Sequence, residues 1–152
     1  QLYYGSEIGM TGSKNVGDGD IRREFPGGWS DHKQNAFTKE GRTAEQEKYH
    51  SITKKLFNWR KNKNVIHNGK TTHYIPENNV YVYFRYDDSE ASGESVMVVI
   101  NNSTEKQTFK TARFQENIKN YKSGKDVLSD KSFELKNDIE IEGKSVLILE
   151  LK

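Results

Sequence analysis

Asp18, Asp20, Arg22 and Arg23 place four charges close together in and just after the glycine-rich stretch Thr11-Gly12-Ser13-Lys14-Asn15-Val16-Gly17-Asp18-Gly19-Asp20. Carboxylates and guanidinium groups projecting from the end of a strand can make paired hydrogen bonds to sugar hydroxyls or to a phosphate. Taken alone, such a cluster reads first as a solvated loop with local ion pairs. Its place directly after Tyr3-Tyr4-Gly5-Ser6-Glu7 turns the reading toward function. Trp29, in the turn Phe25-Pro26-Gly27-Gly28-Trp29, joins Tyr3 and Tyr4 as an aromatic plane that could stack on the apolar face of a pyranose. The two tyrosines read equally as strand residues, one on each face, whereas a Pro-Gly-Gly turn belongs at the surface. Glu7 with Asp18 or Asp20 would supply the two carboxylates that glycoside cleavage requires, but the spacing singles out no such pair.

Three kinds of segment must position these groups. Leu2 to Met10 is an apolar run with Gly5 and Gly9, read as a buried strand that emerges into the charged loop; it resembles the middle of a larger enzyme more than the beginning of a protein. A loop as long as the one that follows, without secondary structure of its own, is functional or disordered, and its residues favour function. The second segment is a helix over residues 43 to about 63. Thr43 and Gln46 have the spacing of a capping box, Glu45 and Glu47 suit the positive end of the helix dipole, and Arg60, Lys61 and Lys63 suit the other end. Tyr49, Ile52, Leu56 and Trp59 fall on one face, which requires a packing partner. From about Asn64 the pattern becomes short strands: Val80 to Tyr86, Val96 to Ile100, Phe133 to Leu135, Asp138 to Ile141 and Val146 to Leu151. Their spacing predicts an antiparallel sandwich of roughly seven or eight strands, the last two forming a hairpin around Glu142-Gly143. The chain thus divides into residues 1–63 and 64–152.

Composition narrows the function. The net charge is +2 with acids and bases interspersed, which points away from nucleic acid and from an anionic membrane surface. No apolar run reaches the length of a membrane span. There is no cysteine, so disulfides and thiolate metal sites are excluded. The histidines His32, His50, His67 and His73 lack metal-ligand spacing and read as surface residues. Asn101 and Asn102 each begin an Asn-x-Ser/Thr pattern that arises readily by chance.

The run Tyr3-Tyr4-Gly5-Ser6-Glu7-Ile8-Gly9-Met10 resembles the last barrel strand of the alpha-amylase family of glycoside hydrolases. With Asp18-Gly19-Asp20-Ile21-Arg22-Arg23, Phe25-Pro26-Gly27-Gly28-Trp29 and Leu56-Phe57-Asn58-Trp59-Arg60, the chain is similar to the neopullulanase and cyclomaltodextrinase branch. The similarity continues through Gly69, Tyr74, Pro76 and Val80-Tyr81-Val82-Tyr83-Phe84-Arg85 into the sandwich that follows the barrel in that family.

The resemblance implies a mainly β fold. An antiparallel β-sandwich of the amylase C-terminal type would follow one strand, a long loop and one helix left over from a (β/α)8 barrel. It implies a parent enzyme that cleaves alpha-1,4 and alpha-1,6 glucosidic bonds with retention. The family's nucleophile, acid/base and second aspartate lie on earlier strands, so this chain holds no catalytic residue, metal site or cofactor and is expected to be inactive alone. Matched by spacing, Asp18 and Arg22 would contact glucose units, with Asp20, Arg23 and Trp29 as further candidates. The partners expected are alpha-glucan oligosaccharides, reached through the parent, in a periplasmic or secreted bacterial setting by similarity. An unpaired barrel strand would also invite a strand-exchanged dimer. The alternative is a carbohydrate-binding sandwich module with Tyr81, Tyr83 or Tyr86 as its sugar platform.

Overall fold

Alternation of buried and half-buried residues along Val80–Tyr86 sets the architecture of the second half of the chain. Val80, Val82 and Phe84 point to one side and Tyr81, Tyr83 and Arg85 to the other, as a period of two requires. The computed structural model describes residues 2–87 and 93–152 and divides into two compact units, Gln1–Asn58 and Trp59–Lys152.

In the first unit, Leu2 to Met10 is not a strand. It forms turns and a 3-10 helix at Ser6–Ile8. Gly5 and Gly9 adopt left-handed φ angles of 82° and 67°, which bend the backbone out of the extended region. The hydrogen bonds then close locally: the Ser6 amide donates to Tyr3 O, and the Ile8 and Met10 amides both donate to Gly5 O. A parallel strand needs neighbours to take those groups, and no strand of the first unit is present among the described residues. The charged loop contains one short helix, α1 (Asp18–Ile21), and is followed by α2 (Ala44–Arg60). The capping box of α2 is formed in both directions. The Gln46 amide donates to Thr43 Oγ1 at 3.2 Å and the Thr43 amide to Gln46 Oε1 at 2.9 Å. No residue of α2 is buried, and Tyr49 and Ile52 are left 44% and 40% exposed.

The second unit begins at Trp59 and, before any strand, forms the short helix α3 (Asn64–Asn68) where strands were expected to start. Among the described residues eight strands follow: β1 (Lys70–His73), β2 (Val80–Tyr86), β3 (Ser95–Asn101), β4 (Gln107–Phe109), β5 (Ser123–Asp126), β6 (Ser132–Glu134), β7 (Ile139–Ile141) and β8 (Ser145–Leu151). A 3-10 turn at Thr111–Phe114 and helix α4 (Gln115–Ile118) separate β4 from β5. Every strand pairing among the described residues is antiparallel. Six strands form one sheet in the order β1-β2-β3-β8-β5-β6, and β4 with β7 forms the second. Register aligns Phe84 with Met97 and Met97 with Leu149. These three side chains are fully buried, together with Val99, Phe114, Ile141 and neighbours contributed by the short sheet.

The expected hairpin between the last two strands is absent. β7 pairs with β4, while β8 pairs with β3 and β5 in the other sheet. The turn at 142–144 therefore crosses between sheets. Asn101, 1% exposed, explains the crossing: its amide donates to Glu105 O at 2.8 Å, Glu142 O at 3.0 Å and Ile141 O at 3.4 Å. The Lys144 amide donates to Ser103 O at 2.8 Å, and Lys144 itself has φ 48°. Those bonds satisfy the turn from the 101–105 loop instead of from a hairpin partner.

Candidate functional site

Asp18, Asp20, Arg22 and Arg23 are brought together as two ion pairs, the first of them joined by Lys14. Asp18 is bound by Lys14 Nζ and, at 3.2 Å, by Arg22 Nη1 one helical turn later. Both members of the Asp18–Arg22 pair are exposed, at 53% and 60% of their side chains. Asp20 is different. Only 14% of its side chain is exposed, and its carboxylate accepts the Ser13 amide at 2.6 Å and Arg23 Nε at 2.9 Å, with Arg23 Nη2 on the same oxygen as Nε. The Arg23 hydrogen bonds and then the Ser13 amide hold the Asp20 carboxyl below its ordinary range. Chemically, the outer pair offers a carboxylate and a guanidinium together, a donor and acceptor set suited to neighbouring hydroxyls.

Tyr4 donates its hydroxyl to Arg23 O at 2.9 Å, and burial raises its pKa. Its ring lies 4.5 Å from that of Tyr3. Tyr3, Tyr4, Gly12, Asp20 and Arg23 line a shallow cleft of about 230 Å³. Glu7 lies in the Ser6–Ile8 turn. The Phe25-to-Trp29 turn is built by polar contacts: the Gly27 amide donates to His32 Nδ1 at 3.0 Å, and the Ala36 amide to Pro26 O at 2.9 Å. With Nδ1 accepting there, the other ring nitrogen, Nε2, faces the Glu24 carboxylate at 3.2 Å. Trp29 stands 61% exposed on this turn.

In the second unit, Tyr81 and Tyr83 are half-buried with rings 5.7 Å apart, and His73 meets the edge of Tyr81 at 6.3 Å. Tyr86 packs against the core instead, its hydroxyl accepting from Thr72 Oγ1 at 3.3 Å. Two of the three tyrosines considered as a platform thus lie together. Asn101 is committed to the interior, so its Asn-x-Ser pattern is a structural amide and not a glycan acceptor. Among the described residues, no group of three or more His, Cys, Asp or Glu is placed to hold a metal ion, and no helix is long and apolar enough to cross a membrane.

Sequence reasoning missed the contacts that hold the loop ends. The Ser13 amide and the Tyr4 hydroxyl carry no pattern that would mark them. A further polar anchor, Arg42, has only 7% of its side chain exposed and bonds Glu47 at 2.6 Å and Ala36 O at 3.0 Å; an arginine just before a capping box is a weak signal for it.

Comparison with known proteins gives this arrangement a context. Residues 71–150 match the family model of the cyclo-malto-dextrinase C-terminal domain. An alpha-amylase from Anoxybacillus shares the fold with a TM-score of 0.66 at 18% identity, over 98% of this chain and 28% of that one. Maltogenic amylase from S. marinus gives 0.63 at 19% identity, over 98% and 16%. Cyclic alpha-maltosyl-(1→6)-maltose hydrolase from Arthrobacter globiformis gives 0.58 at 16% identity, over 98% and 26%. The chain thus spans between 16% and 28% of the length of these solved relatives.

Proposed function

Because the chain belongs to the cyclo-malto-dextrinase C-terminal domain family through residues 71–150, we propose that it works as the C-terminal part of a retaining alpha-glucan hydrolase. The substrates are alpha-1,4-linked and alpha-1,6-linked glucans, and the partners are their oligosaccharides. The second unit is the scaffold. The first unit supplies part of the substrate wall, with Asp18 accepting from and Arg22 donating to the hydroxyls of a bound glucose unit.

The observation that carries this reading is the exposed Asp18–Arg22 pair, already matched at 3.2 Å while the neighbouring Asp20 is occupied internally. Charge-assisted bonds from such a pair are stronger than neutral ones and fix orientation. Retention also needs a nucleophile and an acid about 5 Å apart across the anomeric carbon. Asp18 and Asp20 are each engaged by an arginine of their own loop, and we assign neither of these two roles to them. The chain alone should therefore release no reducing sugar from maltotriose or a cyclodextrin. In the intact hydrolase, Arg22→Ala should raise KM for maltooligosaccharides; unchanged kinetics would remove Arg22 from the site.

The Tyr81–Tyr83 pair supports a second reading, a carbohydrate-binding module. Titration of the chain with maltotriose separates the two. Saturable binding lost in a Tyr81→Ala, Tyr83→Ala double variant favours the module, and binding indifferent to it favours the scaffold. A strand-exchanged dimer would need Leu2 to Met10 to unbend, and sedimentation at rising concentration tests for it.

A further inference from the structure

The two ion pairs of the charged loop differ in what else they hold. Asp18 is held by two exposed side chains, those of Lys14 and Arg22. Asp20 instead grips the backbone itself at the start of the loop, through the Ser13 amide, and the Arg23 guanidinium at its end. Arg23 is fixed from a third direction, by the Tyr4 hydroxyl on its carbonyl at 2.9 Å. Gly12 completes the closure. Its Cα packs so tightly on the Asp20 carbonyl and Ile21 Cα that any side chain at position 12 would collide with backbone.

We propose that Asp20 is a positioning residue: by bonding the Ser13 amide and the Arg23 guanidinium at once, it latches the loop so that Asp18 and Arg22 meet a sugar already in place. Asp20 itself does not touch the sugar. The proposal rests on the reading of Asp18 and Arg22 as sugar contacts. Its physical basis is the cost of ordering a flexible segment on binding, which a preorganised loop avoids. Asn at position 20 keeps the shape but turns an ionised acceptor of three donors into a neutral group with a single acceptor oxygen, so it cannot hold both ends of the loop equally.

Two measurements test it. In the chain itself, hydrogen exchange at the Ser13 amide should quicken about tenfold in Asp20→Asn and stay unchanged in Asp18→Asn. In the intact hydrolase, with maltotriose as substrate, Asp20→Asn should raise KM about tenfold and leave kcat within about twofold, since the loss is one of preorganised binding. Unchanged Ser13 exchange overturns the latch. Faster exchange with unchanged KM, while Asp18→Asn raises KM, overturns the positioning role and leaves the proposed function standing. If exchange quickens but neither variant moves KM, the sugar-contact reading falls and takes the positioning role with it. Should Asp20→Asn lose the helical signal of α2, Arg23→Lys replaces it in both assays, keeping the charge while removing the Nε bond, and the same outcomes apply.

Discussion

The two units are held by different forces. Residues 59–152 bury Phe84, Met97, Val99 and Leu149 to 0% exposure in a single core, whereas residues 2–58 bury only Ile8 and Ala36 among their apolar side chains. Of the large apolar side chains left exposed among the described residues, all but Ile75 and Ile100 lie in the first unit. What shapes that unit is directional bonding: the Thr43–Gln46 box, Arg42 on Ala36 O and Glu47, and Asp20 on Ser13 and Arg23. Burial is additive in area and indifferent to the loss of any one surface group. A net of hydrogen bonds, each contributing about 1 kcal/mol net, is sensitive to single polar changes and indifferent to apolar ones. A loop proposed to present charges to a sugar is better served by the second kind of order, which fixes directions.

The strongest way to break this contrast is to cut the core. Phe84→Ala removes a ring that meets Tyr74 and Phe114 at centroid distances of 5.9 and 6.1 Å. It should cost the second unit about 3–5 kcal/mol, measured by denaturant unfolding followed through the strand signal. Exchange at the Ser13 amide should not respond before that transition. If it does, the units do not draw their order from separate sources. Asn101→Ala comes next. It is the place where the second unit behaves like the first, one buried amide serving three carbonyls, and the loss should be about 2–3 kcal/mol. A smaller loss, within about 0.5 kcal/mol, would mean that packing alone directs the crossing between sheets.

The same contrast explains what could be read from the residues alone. Val80 to Tyr86 is legible residue for residue, because alternation of valine with aromatic side chains has one solution at an apolar core. β1, β4 and β5 are not legible. Lys-Thr-Thr-His, Gln-Thr-Phe and Ser-Gly-Lys-Asp contain too few apolar residues to show a period, and they are strands only because their neighbours offer edges. Glu142-Gly143 looks like a hairpin turn locally and becomes a crossing through Asn101, whose partners are 40 and 41 residues away. Leu2 to Met10 fails for the converse reason. Its apolar run implies partners that are absent among the described strands, and its two glycines let it fold on itself. In the charged loop the residue types are evident, but the different bonding of Asp18 and Asp20 is not, since it depends on a backbone amide.

A change in the first unit's polar net should be small globally and sharp locally. Thr43→Ala removes the acceptor of the Gln46 amide and should cost about 1 kcal/mol. The loss should be visible as faster exchange in the first turn of α2, with the unfolding midpoint of the second unit unmoved. Loss spread evenly through the sandwich would contradict the comparison.

The smallest expected effect concerns a polar clamp inside the core-built unit. Glu150 on β8 accepts Trp59 Nε1 at 2.8 Å and lies 2.6 Å from Lys63 Nζ, which also reaches Glu94 at 2.8 Å. Burial alone would raise the Glu150 carboxyl, yet the Lys63 and Trp59 hydrogen bonds bring it below its ordinary value of 4.5. Lys63 is raised above 10.5, first by Glu150 and then by Glu94. A depressed carboxyl stabilises the fold above its unfolded value and loses that stabilisation as pH falls through the folded value; the raised ammonium does the reverse at the alkaline end. Stability should therefore be flat between these limits with respect to this clamp and fall below 4.5. Glu150→Gln should cost about 0.5–1 kcal/mol near neutrality, because the side chains are partly solvated and Gln can still accept from Trp59. Measured by unfolding from about pH 7 to about pH 3, the gap between the two proteins should narrow toward the acid end as Glu150 is protonated in the native state. A gap that stays constant would mean that packing around Trp59, and not the charge pair, fastens Trp59 to β8.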